Sequence, residues 1–261
     1  MEPRSSPHAF EAQLLGQALS RQEAGCRRAV EAIDGLLMAA AAQALQPYPG
    51  VALAAAGSYG RSELMPDSDL DLIVFGETLE AADVCRARQI ERALTVALKA
   101  CHPGPPPSIE VAYVGAPERV AALVRLHATT LYDVRPLCGP VVYVDRYLEE
   151  IRRTRLAVVR AARQNLQDCL RAQIDDPAPD LKAGLGRWLV YDLSIRAVEA
   201  DTSARSSFQR LGLVEDPELR VALERGLSAY FWLRARPLAA PALRASAVED
   251  LALAVHRLRT S

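Results

Sequence analysis

Two short apolar runs, Val51–Ala56 and Leu70–Phe75, flank a polar loop that carries Gly57, Gly60 and Pro66. Little else in the first half of the chain constrains the fold as strongly. Each run is strand-length, and a glycine directly after an apolar run marks a turn rather than a helix. In Leu70–Phe75 (LDLIVF) the carboxylate of Asp71 gives way to a wholly apolar stretch, with Asp69 just before it. A strand has this pattern when one end enters a site and the other enters a core.

The surroundings extend that reading. Ala9–Leu45 is rich in alanine and carries Leu14, Leu15, Ala18, Val30, Ile33, Leu36 and Leu37 at helical spacing. Pro47, Pro49 and Gly50 end it. Leu79–Ala100 returns to helical spacing, and Ser108–Val114 (SIEVAYV) is predicted as a third strand. The order helix, strand, strand, helix, strand implies a small α/β mixed-sheet domain over residues 1–140. Beyond Cys138-Gly139-Pro140 the spacing is helical throughout, starting with one long helix over Tyr143–Ile174. DDPAPD at Asp175–Asp180 is the clearest linker, and further breaks fall near Asp201-Thr202, Glu215-Asp216-Pro217 and Arg236-Pro237. Residues 141–261 are therefore expected to form an all-α helical bundle domain.

Charge and cysteine content bound the function. Lys plus Arg number 31 against 32 Asp plus Glu, a net charge of −1. That balance lacks the basic excess of a typical nucleic-acid binder. Cys26, Cys85, Cys101, Cys138 and Cys169 form no CxxC and no Cys/His cluster, as expected of small buried apolar groups in a reducing compartment. The first ten residues lack the apolar core of a signal peptide, and no stretch approaches ~18 consecutive apolar residues. The expectation is a soluble, cytoplasmic protein without a membrane partner.

The chemistry-bearing segment is GSYGRSELMPDSDLDL, Gly57–Leu72. Glycine lets a ligand approach the backbone closely, and Ser58 adds a hydroxyl and an N–H suited to phosphate oxygens. Asp69 and Asp71, at i and i+2 of a strand, point to one face. Bare, they would repel; divalent cations between them and a triphosphate reverse the sign. Gly57–Gly60 alone also fits an ordinary turn, and the aspartates alone fit a solvated strand end. The combination of strand, Gly-Ser, ten intervening residues and DxD entering an apolar strand is the more informative unit.

This combination resembles the signature of the DNA polymerase β-type nucleotidyltransferase superfamily. More closely, it resembles the GGYGRGEL-type motif of bacterial uridylyltransferases that modify the nitrogen-signalling PII protein. It is also similar to nucleotidyltransferases fused to CBS and cyclic-nucleotide-binding domains. Leu131–Gly139 (LYDVRPLCG) resembles the D-x-R-x-L-x-G of those families, and Asp180–Arg187 with Ser194–Ala197 resembles their D-L-K-x-G segment and following helix. The resemblance spans about residues 50 to 236. Gly184-Leu-Gly-Arg-Trp-Leu stands where the uridylyltransferases carry Gly-Gly-Leu-Arg-Asp. The four histidines, His8, His102, His127 and His256, form no histidine-aspartate hydrolase pattern, and no room is left for CBS or ACT modules. The resemblance thus implies a transferase core without demodifying or sensing parts.

It further implies two Mg²⁺ ions on Asp69 and Asp71, an NTP as donor, and transfer of NMP to a hydroxyl acceptor on a protein or small molecule. Glu110, flanked by Ile109 and Val111, is expected as third metal ligand or as base for the acceptor hydroxyl; the alternative is an edge-strand glutamate facing water. Gly57, Ser58, Arg61 and Lys182 are the expected nucleotide contacts. Arg61 has an equal alternative in pairing with Glu63 or Asp67. Lys182 shares the chain's lysine content only with Lys99. Asp133 and Arg135 are expected to form a structural ion pair. Trp188, Tyr230 and Trp232 are expected in the core, and Arg152, Arg153, Arg155, Arg160 and Arg163 on a solvated face, with a triphosphate or RNA backbone as the other use. Two other functions compete: a nucleotide-binding regulator without turnover, and small-molecule modification of the aminoglycoside type.

Overall fold

The computed structural model describes residues 7–46, 48, 50–65, 68–77, 79, 84–101, 106–124, 133–172, 185–235 and 241–260. It is mixed α/β: a small four-stranded sheet and many helices. The elements in order are α1 (Pro7–Ala44), β1 (Ala52–Ala55), the single turn α2 (Gly57–Gly60), β2 (Leu70–Phe75), α3 (Val84–Cys101), β3 (Ile109–Gly115) and α4 (Pro117–Val124). There follow β4 (Arg135–Cys138), α5 (Val142–Arg153), α6 (Arg155–Ala172), α7 (Leu185–Glu199), the short α8 (Ser207–Arg210), a 3-10 turn at Leu211–Leu213, α9 (Pro217–Ala235) and α10 (Pro241–Thr260).

The sheet order is β3-β2-β1-β4. β1 runs antiparallel to both β2 and β4, while β2 and β3 are parallel, with α3 between them in sequence. Period-two alternation divides the strands between two cores. Leu53, Ala55, Leu70, Leu72 and Val74 pack with Val30 and Leu37 of α1 and Ile90, Leu94 and Leu98 of α3. Ala52, Ala54, Ile73 and Phe75 face the other way, into a core shared with Val144, Tyr147 and Ile151 of α5 and with α7, α9 and α10. Burial on both faces is why Leu72–Phe75 is an unbroken apolar run. One hydrophobic core therefore joins the second sheet face to the helices that follow.

Two local expectations are corrected. The Tyr143–Ile174 helix is interrupted at Thr154, whose hydroxyl donates to the Glu150 carbonyl at 2.9 Å and whose backbone leaves helical geometry. Such back-bonding by threonine bends helices. The sheet also has a fourth strand not anticipated from the sequence. β4 contains Pro136, which removes one ladder donor, and its pairing with β1 shifts register between Leu53 and Ala54. Proline is tolerated there because β4 is an edge strand.

Among the described residues, no helix is long and apolar enough to cross a membrane. Trp188 and Tyr230 are buried and Trp232 packs half-buried against the same core, as expected. Arg152 and Arg155 pair with Asp201, Arg153 with Glu150 and Arg163 with Glu199, the arrangement of an ion-paired solvated face.

Candidate active site

Gly57 leaves β1 at a φ of +56°, a left-handed conformation that costs any residue with a Cβ about 1–2 kcal/mol. The close approach there is equally demanding. A Cβ at residue 57 would stand 2.5 Å from Asp71 Oδ2, so the Asp71 carboxylate lies directly against the Gly57 backbone. Ala56 N–H donates to the Asp71 carbonyl at 2.8 Å, fixing the same junction through the main chain. Ser58 follows in the single turn of α2, half-buried. That turn needs Gly60 too, since a Cβ there would come within 2.0 Å of the Asp133 carbonyl oxygen.

Asp71 pairs in register with Glu110 across the parallel β2–β3 ladder. Paired residues of neighbouring strands share a sheet face, so Asp69, Asp71 and Glu110 occupy the face opposite Leu70, Leu72 and Val111. Asp71 is half-exposed, while Asp69 and Glu110 are exposed. Ser108 Oγ donates a short hydrogen bond to Asp69 Oδ1, and the Ser108 carbonyl accepts from Leu70 N–H at 2.8 Å. The sequence alone did not single out Ser108. The available signal was a hydroxyl placed one residue before β3, opposite Asp69. Tyr113, beyond the β3 bulge, has its phenol pKa raised by burial first and by the Glu110 charge second.

The site residues expected from sequence thus fall into three groups. Gly57 lies against Asp71 and Asp71 stands in register with Glu110, with Ser58 and Asp69 their chain neighbours, at the corner where the end of β1 adjoins the starts of β2 and β3. Arg61 does not present an open guanidinium to that corner: it is buried, with Nε 2.7 Å from Glu63 Oε2 and Nη1 2.6 Å from Asp133 Oδ2. Of its two expected roles, the structure shows the ion pair with Glu63. Lys182 lies outside the described residues.

The Asp133–Arg135 pair is corrected. Asp133 is taken by Arg61 and by Arg210 Nη2 at 2.6 Å, whereas Arg135 turns to α1 and grips Asp34 with two hydrogen bonds of 2.7 and 2.9 Å. Tyr59 OH donates to the same Asp34 at 2.5 Å, and the Arg135 guanidinium lies 5.3 Å from the centre of the Tyr59 ring.

Arg61, Glu63, Asp133 and Arg210 form a buried four-charge network that sums to zero. Arg210 Nη1 donates to Ser194 Oγ at 2.7 Å, Ser207 Oγ donates to Glu63 Oε2 at 3.2 Å, and Ser207 N–H adds a short bond to Glu63 Oε1. Burial alone would lower the Arg61 pKa; the charges of Asp133 and Glu63 outweigh it and raise it. The network pins the loop after Gly57-Ser58 to α7 and α8. No local signal announced it, because the partners stand 72 residues apart for Arg61 and Asp133 and 144 for Glu63 and Ser207.

The donor set suits a hard divalent cation: three carboxylates on one face, open to solution, with a glycine backbone seated against one of them. Among the described residues no three His, Cys, Asp or Glu side chains are already gathered closely enough to hold a metal. An apolar cavity of about 740 Å³ is lined by Leu64, Ser68, Leu70, Pro107, Cys26 and Phe231 among others, and by none of Asp69, Asp71 and Glu110. No known family profile matches the chain, and no curated protein matches it.

Proposed function

We propose that the chain is a Mg²⁺-dependent nucleotidyltransferase that moves NMP from an NTP to a hydroxyl on a protein or small molecule, releasing pyrophosphate. One observation carries this reading: the Asp71 carboxylate lies against Gly57 and in register with Glu110. Three segments distant in sequence thereby supply a close-approach backbone, a DxD pair and a third carboxylate at one corner. The likeness of Gly57–Leu72 to the nucleotidyltransferase motif supports it. So does the arrangement of a small mixed sheet backed by helices.

In this reading Asp69 and Asp71, with Glu110 as the third ligand, would hold Mg²⁺, which would neutralise charge on the triphosphate and on the departing pyrophosphate. Ser58 and the Gly57 backbone bind phosphate oxygens. The acceptor hydroxyl oxygen bonds to the α-phosphorus as the bond from that phosphorus to the bridging oxygen breaks, and pyrophosphate leaves with the electron pair. The acceptor proton goes to Glu110 where that carboxylate serves as base rather than as third ligand. Ser108 holds the Asp69 carboxylate in orientation. Lys182 is the proposed contact to the triphosphate from the second half of the chain.

Calorimetric titration with ATP, UTP, CTP and GTP, each with Mg²⁺ and with EDTA, tests the reading. Saturable, Mg²⁺-dependent binding of at least one NTP, weakened at least tenfold by Asp71→Asn, is the expected result. Binding indifferent to both Mg²⁺ and Asp71 would overturn it.

A further inference from the structure

A small cleft opens where α1, the turn after α2, β4 and residues 203–209 meet, and Asp69, Asp71 and Glu110 are not among the residues that line it. Its volume is about 230 Å³, and it is lined by Glu23, Arg27, Arg61, Ser62, Arg135, Ser203, Arg205, Ser206 and Gln209. Four arginines and one acid are among its lining residues. We propose that this cleft binds a phosphoryl group, either as inorganic phosphate or as the head of a phosphomonoester.

The distribution of charge carries the argument. The acids that balance the arginines stand mostly behind the cleft rather than in its wall. Arg135 is held by Asp34, and Arg61 by Glu63 and Asp133, which also takes Arg210. Only Glu23 lines the cleft, and it is occupied by Arg27 at 3.2 Å. Pairing each arginine with one acid leaves the exposed Arg205 over. Its guanidinium makes no hydrogen bond or ion pair among the described residues, nor do the hydroxyls of Ser62 and Ser203. Arg135 Nε is buried without a hydrogen-bond partner. The free donors of the open side are thus the exposed Arg205 and the hydroxyls of Ser62 and Ser203, with the acids that hold Arg61 and Arg135 set back, which favours an oxyanion over a cation or a neutral group.

Size and shape narrow the class. Pockets for organic ligands begin at roughly 300 Å³, so this cleft suits a phosphoryl group better than a whole nucleotide. Its polar lining comes from four separate segments, α1, the turn, β4 and residues 203–209. Ser62 reinforces the point: it holds a φ of +62°, unusual outside glycine, and keeps a hydroxyl at the rim.

Thermal-shift and calorimetric titrations with inorganic phosphate, phenyl phosphate and acetate, against chloride at matched ionic strength and without NTP or Mg²⁺, test the site. Saturable binding of phosphate or phenyl phosphate is expected, with acetate and chloride much weaker. Tighter binding of phenyl phosphate would identify an organic source, and equal or weaker binding an inorganic one. Arg205→Ala removes an exposed side chain that supports nothing else, and should weaken binding at least tenfold. Ser62→Gly, which suits the backbone, should weaken it several-fold without loss of thermal stability. Asp69→Asn/Asp71→Asn should bind phosphate like the wild type, which separates this site from the proposed nucleotide site. Phosphate binding no stronger than that of chloride, unchanged affinity in Arg205→Ala, or loss of binding in the aspartate double variant would each overturn the proposal.

Discussion

Asp71 Oδ2 lies where residue 57 has room for no side chain: a Cβ there would be 2.5 Å from that oxygen. Gly57→Ala must therefore displace the carboxylate and also adopt a φ of +56°. The stability cost expected from the backbone is about 1–2 kcal/mol. Misplacing the carboxylate by about 1 Å should lower turnover roughly 100-fold. Gly35, inside α1 with nothing within 4 Å of its would-be Cβ, is the control. Gly35→Ala should raise stability by about 0.5–1 kcal/mol in a urea melt, with turnover unchanged.

The buried network predicts a larger effect far from the carboxylates. Arg210→Met leaves Asp133 with one cation instead of two and removes the donors to Ser194 Oγ and the Ala204 carbonyl, while the Ser194 hydroxyl keeps its bond to Asp133 Oδ2 at 3.3 Å. Breaking a buried ion pair from one side typically costs about 3–5 kcal/mol. Urea unfolding followed by circular dichroism should show a loss of that order. A loss below about 1 kcal/mol would mean that water reaches the network.

Ser108→Ala separates orientation from binding. Ser108 touches Asp69 through its hydroxyl, and its backbone bond to Leu70 survives the substitution. Stability should change little, while turnover falls about tenfold or more with the affinity for NTP nearly kept. Ser108→Thr, which retains the hydroxyl, should recover part of the loss.

Cys26 offers a probe of packing between α1 and the loop before β2. Its thiol is buried, with its sulfur 3.8 Å from that of Met65, and its pKa is pushed up to about 12, by desolvation first and by the Glu63 charge second. It should stay protonated at pH 8 and react with Ellman's reagent far more slowly than the exposed Cys85. The folded-state pKa is the higher one. This contribution to stability is therefore complete below the ordinary thiol value of 9.0 and is lost as pH climbs towards about 12. Equal labelling rates for the two thiols in the folded protein would contradict the packing.

The sequence made the strands at Val51–Ala56, Leu70–Phe75 and Ser108–Val114 legible because their alternation and their glycine and proline boundaries are local signals. β4 was not legible: Arg-Pro-Leu-Cys is short, contains a proline and becomes a strand only through its contact with β1. The grouping of Gly57, Asp69 and Asp71 was implied by the resemblance of Gly57–Leu72 to the nucleotidyltransferase motif, and Glu110 by the third carboxylate that the resemblance calls for, being the one acid in its apolar run. The destinations of Arg61, Asp133 and Arg135 did not. An arginine's partner depends on which acid the fold brings near, and Asp34 and Arg210 arrive from helices far away in the chain. Ser108 was hidden for a related reason, since a lone serine gains meaning only once β3 is aligned beside β2.

Pyrophosphate release tests the central claim most directly. Wild-type protein and the Asp69→Asn/Asp71→Asn variant would be incubated with the NTP that binds, Mg²⁺ and a panel of hydroxyl acceptors including proteins and small molecules. The account predicts Mg²⁺-dependent release by the wild type, matched by one NMP on the acceptor for each pyrophosphate, and release at background in the variant. Equal release by both proteins would contradict it.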